Sequence, residues 1–536
     1  MNTCAFQYLV NKNHSFKELK EIKLYIDKTD LIESLASYNI RPLLFLRPPK
    51  FGKTLLIDTL KVLFSEGIEF FYDLKIGDRW QDRVYPVIHI DFANFKSKCF
   101  DKNAILSFHK AFTDAGIHLD IDNGVNSSEF IYKAFDAISD TCVLLVDNCD
   151  YLIYDAVNST RRLKARKLFM HSFYQAIAKN RYKFRFIFIT GTLRLGVEEL
   201  QNAFEDLLDL SFDSKYQSLL GFTEDELIHY LKKEITKTAF DLNKHFYRNR
   251  HDYDFEEILD LMRDCFSGYR FSREQSAIIY SPRDIINFLA KKDFNLEPCS
   301  YITDNENCKN LNLKFQEVTK DKLRYFWDLD VQKHLSFADL KHIYIEKELN
   351  IESVFFQFGF MSIQGFDGEK AILGLTNLSI KRIFADLVMN QLYFKGIFKG
   401  NYCFDVTNAL FTSFYSKKFN CRDTMDIVNS SITLIPPSIF ENFNEKSLLS
   451  YIKTLITHLI ATNIEVKQVE NGLYKLFFDL FEYSYECDIC FKASTKPIND
   501  STDLYIDEDC LNRHLAITIT KSHNLNSYQI INIEPI

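Results

Sequence analysis

A chain of 536 residues is too long to enclose a single hydrophobic core, so several structural units are expected. With 46% hydrophobic and 26% charged residues it has the balance of a globular protein, and a net charge of −8 argues against a generally basic nucleic-acid-binding coat. The 50 Phe and 28 Tyr, set against 16 Gly and 10 Pro, read as compositional bias more than as an aromatic binding surface.

Residues 1–40 form a lead-in. Met1–Ser15 lacks the basic segment and apolar stretch of a secretory leader, and no apolar run approaches the roughly 18 residues that span a bilayer. The 12 cysteines follow no framework, and Cys142, Cys149 and Cys403 fall inside apolar runs, as reduced thiols of a cytoplasmic protein do. Secretion into a host cell is left open.

The run Leu43–Leu46 is followed by a loop and then by helical spacing through Leu55, Leu56, Leu60, Leu63 and Phe64. Apolar runs recur at Val87–Ile90, Cys142–Val146 and Phe184–Ile189, with helical patterns between them at Ala104–Ala115, Glu129–Ile138 and Leu163–Ala178. Short buried strands alternating with helices predict a parallel sheet, over 41–222, covered on both faces. After Gly221 the pattern turns helical, for example over Glu224–Lys233 and Phe255–Cys265. Pro298–Lys309 is a polar linker, Phe355–Ile363 reads as strand-rich, and an amphipathic helix near Ser447–Ile460 precedes alternating strands at Tyr474–Phe481, Tyr483–Phe491 and Leu515–Thr520.

The chemistry concentrates in Arg47-Pro-Pro-Lys-Phe-Gly-Lys-Thr54, placed where a strand passes into a helix. Backbone N–H groups at such a turn bind phosphate, so Arg47, Lys50, Phe51, Gly52, Lys53 and Thr54 are candidate nucleotide-binding residues. Lys53 is expected to bridge phosphate oxygens and the Thr54 hydroxyl to ligate Mg²⁺. Val143–Asp147 is an apolar strand ending in an acid, which assigns Asp147 to the same Mg²⁺ shell. Asn148 then stands where hydrolases of this type carry a glutamate, and an amide accepts no proton; Asp150 is the nearest substitute. Thr190 at the end of a further strand is placed to sense the γ-phosphate, and Arg194 either approaches that phosphate or pairs with Glu198 or Glu199.

Tyr25–Thr29, Arg47–Thr54, Val143–Asp150, Thr190–Arg194 and Leu220–Glu226 together resemble the bacterial AAA-ATPase-like proteins, whose C-terminal domain is PD-(D/E)XK nuclease-like. Ser267–Phe271 with Tyr280–Pro282, and Phe358–Met361, are similar to that family's helical lid and winged-helix-like unit. The resemblance implies an α/β P-loop NTPase core over 41–222, a lid over 223–300, a winged-helix-like unit over 301–395 and an α/β restriction-endonuclease-like domain over 396–536. It also implies ATP and Mg²⁺ as cofactors, makes Arg47 the family's own form of the loop, and marks Asn148 as a departure from the family's Asp-Glu pair.

A nuclease of that superfamily needs an Asp and a Glu-x-Lys on adjacent strands. Glu470, Asp479, Asp488 and Lys521 are the candidates, and Ile519, two before Lys521, cannot ligate a metal, so the site reads as degenerate. Cys487, Cys490, Cys510 and His514 have roughly zinc-site spacing, although strand alternation turns the first two to opposite faces. The basic stretches Arg161–Lys167 and Lys179–Arg185 either follow a phosphate backbone or, the favoured alternative, are solvated helix ends. The leading expectation is an ATP/Mg²⁺-binding switch or scaffold with little or no hydrolysis. An ATP-gated nuclease and a non-catalytic interaction protein, such as a bacterial effector with a protein partner, are the alternatives; nucleic acid is the less favoured partner and a membrane is not expected.

Overall fold

The computed structural model describes residues 6, 9–10, 14–39, 41–95, 100–119, 126–157, 159–245, 253–274, 277–292, 332–341, 350–385, 419–433, 444–458, 462–470, 472–480, 483–492, 505–506, 512–521 and 528–536. The chain divides into two compact units, one holding residues 1–241, 254–314 and 332–377, the other 242–253, 315–331 and 378–536. The predicted linker at Pro298–Lys309 lies outside the described residues.

The first unit is built on a five-stranded parallel sheet of β1 (Pro42–Leu46), β2 (Val87–Asp91), β3 (Cys142–Asp147), β4 (Phe184–Gly191) and β5 (Leu208–Asp209), in the order β2-β3-β4-β1-β5. β1 and β3 are buried at every position, as expected of a parallel sheet covered on both faces. The strand carrying Thr190 therefore lies between the strand that enters the phosphate-type loop and the strand that ends in Asp147.

Helices α1 (Phe16–Glu21) and α2 (Thr29–Ala36) precede the sheet, and α3 (Lys53–Glu66) follows β1. The lead-in is anchored to this unit: Phe16 stacks on Phe71 at 4.6 Å and its N–H donates to Asp58 at 2.7 Å. The helices α4 (Phe100–Asp114), α5 (Ser127–Asp136), α6 (Tyr151–Ala156) and α7 (Thr160–Lys179) alternate with the strands. Their inner faces carry the phenylalanine surplus: Phe108, Phe135 and Phe173 meet at 5.7–6.5 Å, and Phe95 joins them.

After α8 (Val197–Ala203) come β6 (Phe222–Thr223) and β7 (Ile279–Tyr280), a short antiparallel pair joining α9 (Glu224–His245), α10 (Phe255–Phe266) and α11 (Pro282–Lys291). The unit closes with β8 (Lys333–Ser336), α12 (Phe337–Leu340), α13 (Ile351–Phe358), β9 (Met361–Asp367) and β10 (Lys370–Leu375), whose strands form an antiparallel sheet. The predicted strand over Phe355–Ile363 is thus corrected: its first half is helix. The Asn350 side chain caps that helix by accepting from Ser353 N, and Gly359, at φ +81°, ends it. These caps outweigh the β-propensity of Phe355 and Phe356.

In the second unit β11 (Phe419–Asn420) pairs with β15 (Tyr505–Ile506), and α14 (Cys421–Thr433) and α15 (Glu445–His458) accompany a five-stranded sheet. Its strands β12 (Thr462–Glu470), β13 (Leu473–Leu480) and β14 (Tyr483–Lys492) run antiparallel, β16 (Asn512–Lys521) is parallel to β14, and β17 (Tyr528–Pro535) closes the edge. α14 docks through Asn429, which bonds both N and O of Ile530 at 2.7 Å. Among the described residues no helix is long and apolar enough to cross a membrane.

Candidate nucleotide-binding site

The loop between β1 and α3 turns at two left-handed positions, Lys50 (φ +61°) and Gly52 (φ +99°). Gly52 is needed there because a side chain is strained at that φ. The turn points the N-terminus of α3 at a cavity of about 560 Å³, within the range of cofactor sites. Its lining includes Lys50, Gly52, Lys53 and Thr54 together with Asn148 and Thr192, and apolar side chains such as Leu24, Ile26 and Leu231.

Lys53 is buried and its Nζ donates to Arg47 O at 2.9 Å and Pro48 O at 2.8 Å. Burial pushes its pKa down to about 8, against the opposing pull of Asp150 and Asp147. Phosphate binding requires the ammonium, so ATP affinity should be level below pH 7 and fall about ten-fold by pH 9, with proton uptake on binding. Calorimetry in two buffers of different ionisation enthalpy measures both effects. A pH-independent affinity with no proton uptake would remove Lys53 from the phosphate.

Thr54 Oγ1 donates to Asp147 Oδ2 at 2.8 Å, so the two proposed Mg²⁺ ligands touch across the α3–β3 junction. Burial raises the Asp147 pKa while the Thr54 hydrogen bond and Lys53 oppose the rise. A cation near this pair would restore the charged form.

Asn148 has φ +53°, a conformation that Asn tolerates better than Glu does. Its Nδ2 donates to Asp91 Oδ1 at 2.8 Å, and Asp91 lies opposite Asp147 in the β2–β3 register. Asp91 was not singled out by the sequence, since only strand register brings it here. Asp150 is buried, and both its oxygens are engaged: Oδ1 accepts from Thr192 N and Oδ2 from Leu193 N, each at 3.0 Å. It shapes the cavity wall, and those bonds oppose the rise in pKa that burial causes.

Three expectations are revised by side-chain direction. The Arg47 guanidinium does not line the cavity: it donates to Leu46 O, Ser211 O and Tyr216 O at 2.8–3.2 Å and lies 4.2 Å from the rings of both Phe45 and Phe271. Burial depresses its pKa to about 9, which leaves it cationic at neutral pH. Thr190 is fully buried and its hydroxyl donates to Phe45 O at 2.6 Å, which leaves no group for a γ-phosphate. Arg194 pairs with Asp209, not with Glu198 or Glu199, and its N–H donates to Gln357 Oε1 at 2.8 Å.

A cation that the sequence did not announce does reach the cavity. Arg283 enters it from the second residue of α11, and Asn287 follows one turn later. The loop is also braced by distant segments. Phe51 meets Tyr269 edge-on at 4.8 Å, and Gly359 packs against Pro48 so closely that a Cβ would lie 3.1 Å from it. Lys28 Nζ bonds Glu226 at 2.5 Å and Ser218 O at 2.8 Å, which joins two of the sequence motifs in space.

Several cations of the basic stretches are paired with acids. Arg162 faces Asp155, Lys179 faces Asp136, Arg181 faces Asp206 and Arg185 faces Asp82, while Arg166 lies over the Phe100 ring at 3.3 Å.

The degenerate nuclease set is not brought together either. Asp479 lies opposite Ser484 and Asp488 opposite Lys475, about 14 Å apart along β13. Glu470 is exposed at the end of β12, and the Lys521 backbone lies five residues beyond the Asp488↔Ala516 pair. Of the zinc quartet, Cys487 is buried, with its pKa raised by burial, and belongs to the face opposite His514; Cys510 lies outside the described residues.

The five-stranded parallel sheet, with the turn at Gly52 leading into α3, is consistent with a P-loop-like domain. A family model described as "Predicted AAA-ATPase" (AAA-ATPase-like) matches residues 13–201. The chain is 27% identical over 281 residues to an "Uncharacterized protein in vnfD 5'region" of Azotobacter chroococcum mcd 1; the match covers 50% of this chain and 49% of that protein. The chain thus spans about half the length of the curated relative it matches.

Proposed function

We propose that the first unit binds ATP with Mg²⁺, hydrolyses it slowly or not at all, and uses occupancy of the cavity to set the position of the lid helices. The observation that carries this is Lys53 and the bonded Thr54–Asp147 pair at a helix N-terminus that faces a nucleotide-sized cavity. Arg283 supplies a positive charge from α11, so triphosphate would tie the lid to the loop. Slow turnover follows from the acids that could serve as a base: Asp150 is committed to two backbone N–H groups and Asp91 to the Asn148 amide. The C-terminal sheet is compatible with an endonuclease-like fold; we assign it no nuclease activity, since its candidate carboxylates stand apart.

The direct test is turnover. The parent is expected to release phosphate barely above background. Asn148→Glu alone would set a second carboxylate against Asp91 in a strained backbone conformation. Asp91→Asn combined with Asn148→Glu keeps the amide–carboxylate bond and moves the acid to the end of β3. The double variant should exceed the parent by about 10²-fold or more, the usual scale of general-base help. Brisk hydrolysis by the parent would overturn the proposal.

A further inference from the structure

We propose that Glu486, Asp488 and His514, on one face of the C-terminal sheet, form a binding site for a divalent transition-metal cation of the zinc class. Strand alternation puts Glu486 and Asp488 on the face of β14 opposite buried Cys487, and the parallel pairing sets His514 of β16 directly beside Glu486. The donor set is thus two carboxylates and an imidazole, drawn from two neighbouring strands whose spacing is fixed by nine consecutive residue pairs.

The distances discriminate between a metal site and an ordinary charge cluster. His514 Nε2 lies 3.6 Å from Glu486 Oε1 and 3.5 Å from Asp488 Oδ2, and one ligand atom from each of the three residues lies within 4.8 Å of the others. Among the described residues no hydrogen bond satisfies His514 Nε2, although that atom is buried. Four ligands held tetrahedrally at about 2.1 Å from an ion stand about 3.4 Å apart. The His514–carboxylate separations are therefore long for a hydrogen bond and suited to an intervening cation. An imidazole in the set favours zinc, cobalt or nickel over Mg²⁺ and Ca²⁺, which prefer oxygen alone. The three side chains are about one-third exposed, which leaves solvent a route to a fourth ligand position.

Lys475, opposite Asp488 on β13, adds a second feature. Its Nζ lies 2.5 Å from Glu486 Oε1 and 3.3 Å from Asp488 Oδ1. The ammonium neutralises part of the charge that a cation would use, and so competes with the metal for the same oxygens. Removing it should tighten binding of a cation to these oxygens.

Full-length protein stripped with chelator and titrated with Zn²⁺ by calorimetry should bind one ion at this site. Co²⁺ should show the intense visible absorption of a tetrahedral centre, and millimolar Mg²⁺ should not displace it. His514→Gln and Glu486→Gln should each weaken Zn²⁺ binding by more than about ten-fold, and Lys475→Met should strengthen it several-fold. Absence of stoichiometric binding by the parent, or binding unchanged in both glutamine variants, would overturn the proposal. If a variant does not fold, pulsed electron spin resonance of Cu²⁺ bound to the parent decides: one coordinated imidazole supports the site, and none overturns it. Nucleotide plays no part in the assay, so its outcome is independent of the ATP proposal.

Discussion

Replacing Lys53 by alanine is expected to weaken ATP binding by about ten- to a hundred-fold, because a charge-assisted phosphate contact contributes about 1.5–3 kcal/mol. Lys53 Nζ holds Arg47 O and Pro48 O, and under the proposed function it would exchange these carbonyls for phosphate oxygens. The alanine variant loses both interactions. Loop disorder and lost charge can be told apart with Lys53→Met, which keeps the length of the side chain and removes the donor. Both variants should bind weakly by calorimetry while their circular dichroism remains that of the parent. Affinity equal to the parent in either one would sink the assignment of this loop to phosphate.

The second large effect is expected at Arg47. Its two terminal nitrogens donate to three carbonyls from three separate positions and the group sits between two aromatic rings, with no carboxylate among its hydrogen-bond partners in the described residues. A lysine reaches one or two of these carbonyls at most and cannot lie flat between Phe45 and Phe271. Arg47→Lys should therefore cost about 3 kcal/mol and lower the thermal midpoint of the first unit by about 4 °C. The same change should leave ATP affinity within a few-fold of the parent at temperatures where the fold holds, since the guanidinium does not line the cavity. An unchanged midpoint accompanied by a large loss of affinity would return Arg47 to the nucleotide.

The parts of the site that could be read from the chain were those whose chemistry is local. Gly52, Lys53 and Thr54 are consecutive, and Asp147 ends an unbroken apolar strand, so strand and loop patterns suffice to find them. The parallel sheet was legible for the same reason. What escaped was set by tertiary position. Asp91 joins Asn148 only through the β2–β3 register, and Arg283 reaches the cavity from more than two hundred residues beyond the loop. Arg47 sits inside the motif and was assigned to nucleotide, yet its direction is decided by Ser211, Tyr216 and Phe271, none of which the motif mentions. Thr190 shows the same limit: a strand-end hydroxyl looks available until the adjacent carbonyl of Phe45 takes it. In the C-terminal sheet the acids were visible as letters, but His514 and Lys475 meet Glu486 and Asp488 only once the strands are paired.

The contact of Pro48 with Gly359 has a thermodynamic side. Loops rich in glycine sample many backbone states when empty and give up that freedom when phosphate arrives. Here Pro48 and Pro49 fix their own φ angles, Arg47 is pinned beneath, and Gly359 closes over the top. Most of the ordering is accomplished during folding, so ligand entry should carry little backbone entropy loss. A stiff loop also has few internal ways to absorb the displacement that a triphosphate imposes. Under the proposed function it would pass that displacement on as a rigid push, to Gly359 against Pro48 and through Phe51 to Tyr269. A glycine-rich loop would dissipate the same push within itself.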